Sequence, residues 1–443
     1  MENSNKRVFY LTLICFSLYL YTSIIFEVFN LHWKPFDRVN LISEIFHKKG
    51  EKESAADTPK IVVNEKPQQD FELYKKPNLI TNFYQGNSFP LPQFLEKLKK
   101  LKNGENVKIR IAYFGDSMIE GDLLTQTFRK LLQGEYGGSG VGFLPITSNV
   151  AGFRQTATCS ANGWEDTSFK TKGATNLYLS GHIFTGNGSG SYTDNTIKQP
   201  NISVQKNLIY GKPKGSENTI TANGREISLS GTEDVNRQVL LNDANYSLKI
   251  KNNSGETPIY GVSFESEKGI FVDNFSFRGI TGAELNKLNE DFLQSVEKAN
   301  HYDLIIFQYG VNLLFRPNDT DYTYYEKLIS PVFAKFKKSF PDSDFLLVSA
   351  ADRAFRYEGT YQSAKGLPNL LEMQAKIALD NNFAFYNQFA TMGGTNSIVK
   401  WAEEKPSLAN KDYVHPNGKG ADILGEKLFN AVQNEFKKYN KKK

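Results

Sequence analysis

The chain is poor in the residues that would tie it to metal or disulfide chemistry. It has two cysteines in 443 residues, so a disulfide scaffold and a Cys-rich metal centre are both excluded. Cys15 lies in an apolar run, which leaves Cys159 as the one thiol of the remaining chain, without an intramolecular partner. The five histidines, His32, His47, His182, His301 and His415, show no HExxH or HxH spacing, and no cofactor or metal is expected. Charge of one sign is also lacking. The 53 basic and 48 acidic side chains give a net +5, too balanced for a nucleic-acid binder. The lysine-rich end, Lys437–Lys443, reads as a solvated helix terminus.

Long hydrophobic runs are scarce too, with one exception. Val8 to Phe26 is uncharged, follows Lys6 and Arg7, and has the length of a transmembrane helix. No small-x-small cleavage site follows it. The expectation is a single-pass signal anchor in the cytoplasmic membrane, residues 1–30, with the rest of the chain on the periplasmic or extracellular side. Residues 31–76 turn to Lys, Glu, Asp, Pro and Gln and read as a juxtamembrane tether.

Beyond the tether the pattern is α/β. Lys108–Phe114, Asp303–Tyr309 and Asp344–Ala350 are short apolar runs of the buried parallel-strand type. Helical spacing follows or flanks them at Leu123–Leu132, Ala283–Ala299, Tyr322–Phe340, Leu370–Leu379 and Ala421–Tyr439, with a last short strand at Phe383–Tyr386. Strands alternating with helices predict a parallel sheet covered on both faces. Residues 150–272 break the rhythm: Ser, Thr, Asn and Gly dominate, with alternating runs and Asn-Gly turns. They predict a β-sandwich inserted between α/β parts at 77–149 and 273–443. It is expected to pack beside the active site, with Trp164 and Tyr178 as candidate sugar-contacting rings.

Four short blocks fall at predicted strand ends. Gly115-Asp116-Ser117 follows the first strand, where open α/β sheets present ligands and a helix N-terminus offers N–H donors. Gly279-Ile280-Thr281-Gly282 precedes a helix. Gly310-Val311-Asn312 puts an amide at the sheet's carboxyl edge. Asp412-Tyr413-Val414-His415 precedes the last helix, with a carboxylate placed to orient the imidazole.

In this order the blocks resemble the SGNH (GDSL) hydrolase superfamily, over the α/β part and without the insert. The resemblance implies a three-layer flavodoxin-like sheet. It also implies Ser117 as nucleophile, His415 as general base and acid, and Asp412 as its orienter. The oxyanion hole would be the Ser117 and Gly282 backbone N–H groups with the Asn312 side chain. Gly282 is chosen over Gly279 on the pattern alone, and Asp116 is read as structural. Within the superfamily the chain is similar to bacterial peptidoglycan and exopolysaccharide O-acetyl esterases, with Ser139–Phe143 and Ala351-Asp352-Arg353 matching less diagnostic stretches. Arg353 is a candidate substrate-binding residue or else a surface salt bridge.

The leading expectation is an extracytoplasmic esterase removing O-acetyl groups from a cell-envelope polysaccharide such as peptidoglycan. The alternative is an O-acetyltransferase using the same serine, with a membrane-bound acyltransferase as a candidate partner. A polysaccharide-binding adhesin with a vestigial site is a third class, and the intact Ser117, Asn312, Asp412 and His415 argue against it.

Overall fold

Alternate residues of each central strand serve opposite cores, which explains why these strands read as unbroken apolar runs. Along Lys108–Gly115, Ile109, Ile111 and Tyr113 join one core and Ala112 and Phe114 the other. A parallel strand buried on both faces has no polar side to show. The computed structural model describes residues 2–28, 71–84, 89–197, 201–214 and 218–442. Five parallel strands form the central sheet in the order Gly269–Ser276, Lys108–Gly115, Leu304–Gln308, Asp344–Val348, Ala384–Tyr386, and Ile80–Thr81 adds an antiparallel edge. Counted along the chain, this is the 2-1-3-4-5 order of the doubly wound, flavodoxin-like fold.

One face is covered by the helices Pro92–Lys102, Thr125–Tyr136 and Gly418–Lys442, through Phe94, Phe128, Leu132, Leu428 and Val432. The other is covered by Glu290–Ala299, Thr323–Ser339 and Leu367–Asp380, through Phe292, Val332, Phe336 and Leu370. The helix expected over Ala283–Ala299 is broken. A 3-10 turn at Ala283–Lys287 ends before Asn289, whose side chain caps the α-helix by accepting from the Phe292 N–H at 2.7 Å.

The β-rich middle forms two antiparallel sheets facing each other. The first runs Arg225–Ser228, Thr219–Ala222, Ser247–Asn252, Ser189–Asp194, Ala157–Asn162. The second runs Asn236–Asp243, Val204–Tyr210, Ile259–Glu265, His182–Thr185, Glu165–Ser168. Tyr192, Ile220, Leu248 and Ile250 of the first pack on Phe184, Leu208, Val262 and Phe264 of the second. The bounds differ from the expected 150–272. Gly142–Pro145 already pairs with Ile259–Glu265, and Gly269–Ser276 belongs to the central sheet, in parallel register with Lys108–Gly115. Buried polar residues in that strand, Asp273 and Asn274, hide its apolar pattern from the sequence.

Two further expectations are corrected. Glu2–Val28 is a single helix, yet among the described residues no helix is long and apolar enough to cross a membrane. The expected transmembrane anchor is therefore not supported. The tether at 31–76 lies mostly outside the described residues. Its last part is integrated in the fold: Tyr74 is buried, and its carbonyl accepts from Asn387 Nδ2 at 2.9 Å.

Candidate active site

The first central strand ends in a turn that only glycine permits. A Cβ on Gly115 would stand 2.8 Å from the Ile119 side chain and 3.2 Å from the Gln308 carbonyl. The chain then tightens around Asp116, whose Oδ1 accepts from the Met118 N–H at 2.9 Å. That turn leaves Ser117 half-exposed at the carboxyl edge, where the strand order reverses between Lys108–Gly115 and Leu304–Gln308. Ligands of such sheets bind at this switch point.

The histidine comes from a short loop ahead of the last helix. Asp412 Oδ1 accepts from the Val414 and His415 N–H groups at 3.0 and 3.1 Å, closing a tight turn. Asp412 Oδ2 lies 2.7 Å from His415 Nδ1, and His415 Nε2 lies 2.8 Å from Ser117 Oγ. Burial pushes the Asp412 carboxyl up, but the hydrogen bonds from His415 and the two N–H groups outweigh it and hold the pKa below the ordinary value. An ionised Asp412 fixes the imidazole with its proton on Nδ1, which leaves Nε2 as the acceptor for the Ser117 hydroxyl.

The sequence did not reveal what holds this loop. Tyr413 takes a left-handed backbone with φ +55°, costly for an aromatic residue. The hairpin Ala354–Tyr357/Thr360–Ser363 braces it. Tyr361 stacks on the Tyr413 ring with centroids 3.8 Å apart, and the Ala354 N–H donates to the Tyr413 carbonyl at 3.0 Å. The hairpin's own signal is only Glu358-Gly359, both at positive φ.

The oxyanion donors are partly rearranged from expectation. Asn312 reaches the site, but its Nδ2 donates to Asp116 Oδ2 at 3.0 Å and to the Ile280 carbonyl at 2.9 Å. Both amide hydrogens thus have acceptors. Gly282 is buried, with φ +92°; a Cβ there would meet the Tyr309 ring at 2.7 Å. Gly279 is exposed, with φ +83° and open space where its Cβ would be. It stands two residues past Phe277, whose N–H donates to the Gly115 carbonyl at 3.0 Å. The packing against Tyr309 explains why position 282 must be glycine, and Gly282 follows two residues after Ile280, whose carbonyl holds the Asn312 amide at 2.9 Å.

Asp116 is fully buried. Burial raises its pKa to about 7, against the Met118 N–H and the Asn312 amide, which favour the charged form. Arg353 also reaches the site. Its Nη1 donates to the Val311 carbonyl at 2.7 Å, while Nε is buried without a hydrogen-bond partner among the described residues. Burial lowers its pKa, and the field of Asp412 opposes that. Among the described residues it forms no salt bridge. Tyr178, expected to face a sugar, is buried between the insert and the central sheet, stacked on Tyr260 at 5.0 Å and edge-on to Phe275. Trp164 is half-buried in the sandwich, its Nε1 donating to the Ser189 carbonyl at 3.0 Å.

Comparison with known proteins agrees with this architecture. No family model matches the chain, and no curated protein is detectably similar to it in sequence. Among solved structures, a peptidoglycan O-acetylesterase is 24% identical with a TM-score of 0.67, over 81% of this chain and 99% of that one. An acetyl xylan esterase is 17% identical over 37% of this chain and 81% of its own, with a TM-score of 0.28. A family two carbohydrate esterase from Cellvibrio japonicus is 9% identical over 63% of this chain and 99% of its own, with a TM-score of 0.26. The chain shares the fold of that peptidoglycan O-acetylesterase, and its Gly-Asp-Ser turn and Asp-x-x-His loop stand where the resemblance to the SGNH (GDSL) hydrolases puts them.

Proposed function

We propose that this protein is a serine esterase that removes O-acetyl groups from a cell-envelope polysaccharide, working outside the cytoplasmic membrane. The carrying observation is the continuous chain Asp412–His415–Ser117, with both hydrogen bonds at 2.7–2.8 Å. The solved peptidoglycan O-acetylesterase of the same fold supports the substrate class, and a polymeric envelope substrate implies the location.

In the proposed reaction Ser117 Oγ attacks the acetyl carbonyl as His415 Nε2 takes its proton. The tetrahedral oxyanion is met by the backbone N–H groups of Ser117 and Gly282 and by Asn312, which yields one amide hydrogen from Asp116 or Ile280. His415 then gives the proton to the leaving sugar oxygen as the ester C–O bond breaks. Water, deprotonated by His415, attacks the acetyl-Ser117 carbonyl; acetate leaves and the serine regains its proton. Arg353, whose Nη1 holds the Val311 carbonyl and whose Nε has no hydrogen-bond partner among the described residues, is the candidate to hold substrate.

Acetate release from O-acetylated polysaccharide tests the reading, with and without an added sugar acceptor. Wild-type protein should release acetate without acceptor, and Ser117→Ala should release none while folding normally. Transfer to the acceptor with no release to water would instead identify an acetyltransferase. Full activity of Ser117→Ala would overturn the mechanism.

A further inference from the structure

We propose that the cleft between the sandwich and the carboxyl edge of the central sheet is a glycan subsite, with Phe153 as the platform for a pyranose ring. The ligand class rests on the esterase reading above; the site itself rests on four observations.

First, the cleft adjoins the segment that carries the nucleophile, starting at Glu120. One wall is Ser276, Phe277 and Arg278; Ser276 lies beside Gly115 in the parallel register. Arg278 reaches across to Glu120, three residues past Ser117, with its Nε 2.8 Å from Oε2. A sugar seated here would belong to the same polymer as an acetyl group at Ser117.

Second, the insert's side of the cleft is polar and prearranged. His182 Nδ1 is held by Asp166 at 2.8 Å, and its ring lies on Phe277 with centroids 5.1 Å apart. That fixes the direction of Nε2, which has no hydrogen-bond partner among the described residues. Third, Ser180 also lines the cleft; its Oγ is buried and unpartnered among the described residues. An unmet buried hydroxyl is costly and scarce in folded proteins, and a ligand hydroxyl would satisfy it.

Fourth, the lip is aromatic. Phe153 ends the short turn Ala151–Phe153 with 79% of its surface exposed, so its ring contributes little to the core. A pyranose has hydroxyls around its rim and C–H groups on its faces. A cavity of about 320 Å³ with polar groups inside and a ring at the mouth matches that division.

The test compares full-length wild type with Phe153→Ala on two esters, O-acetylated peptidoglycan and p-nitrophenyl acetate. The ratio of polymer to small-ester kcat/KM should fall about tenfold, mainly through the polymer KM, and Phe153→Trp should restore it. An unchanged ratio would overturn the subsite. Turnover and binding are then separated by sedimenting Ser117→Ala protein with insoluble de-O-acetylated peptidoglycan. Retention that requires Phe153 supports the subsite; retention that ignores Phe153, or no retention, overturns it. Absence of acetate release by wild-type protein would count against the esterase reading alone.

Discussion

Two buried aspartates six residues apart show how differently one segment treats charge at its two ends. Asp116, in the turn that presents Ser117, meets only neutral donors, the Met118 N–H and the Asn312 amide. Asp122, in the turn that leads to the helix Thr125–Tyr136, is surrounded by cations. Arg129 forks onto both of its oxygens at 2.7 and 2.8 Å while also donating to the Val272 carbonyl, and Arg154 from the insert adds a contact at 3.3 Å. Burial pushes both carboxyls up; only at Asp122 do the arginines reverse it and hold the pKa well below the usual range. The Asp122 end fastens the insert to the domain with paired charge. The Asp116 end keeps an unpaired carboxyl against the presumed oxyanion donor. One turn serves cohesion and the other serves chemistry.

That contrast fails if the two turns can be exchanged in their effects. The largest expected effect is on stability. Asp122→Ala leaves Arg129 buried without its counter-charge and should cost about 3–5 kcal/mol in denaturant unfolding, with the surviving folded protein still hydrolysing a small ester. Asn312→Ala should do the reverse. The rate should fall by about two to three orders of magnitude, roughly 3–4 kcal/mol of barrier, while unfolding shifts by only about 1 kcal/mol for the lost hydrogen bonds.

The third effect is smaller and depends on pH. The folded pKa of Asp116, about 7, lies above its ordinary 3.8. Between those values the folded state holds a proton that the unfolded state has released. Its contribution is therefore fully present below about pH 3.8 and is lost as pH rises towards 7. Asp116→Asn should flatten that part of the stability profile, measured by unfolding at a series of pH values. An unaltered slope would mean that Asp116 does not carry the charge assigned to it.

The catalytic chain was legible because its signals are local. Ser117 follows Gly115-Asp116 at a strand end, and Asp412 and His415 are three residues apart. Features that depend on distant packing were not. Nothing near Gly282 in sequence shows that Tyr309 lies over it, so the reason for glycine at that position needed the fold. Tyr178 resembles any aromatic of a β-rich stretch, and only its stacking on Tyr260 reveals an internal role. The strand Gly269–Ser276 is split by the expected boundary at 272, because Asp273 and Asn274 interrupt its apolar run. The structure supplies their partners: Asp273 accepts from the Phe143 N–H and the Tyr302 hydroxyl, each at 2.8 Å, and Asn274 donates to the Ile119 carbonyl and Thr125 at 2.8 Å. Paired polar groups inside a sheet cost little, but in a sequence they look like surface.

The hydrogen bond between Ser117 and His415 spans 298 positions of chain. Ser117 emerges from a ribosome long before its base has been synthesised, and the entire sandwich is translated in between. Loop closure of that length is among the slower events in folding. Hydrolytic competence should therefore appear abruptly and last, after most of the secondary structure has formed. A fragment that ends between the sandwich and the Asp412–His415 loop would carry a complete insert and an inert serine.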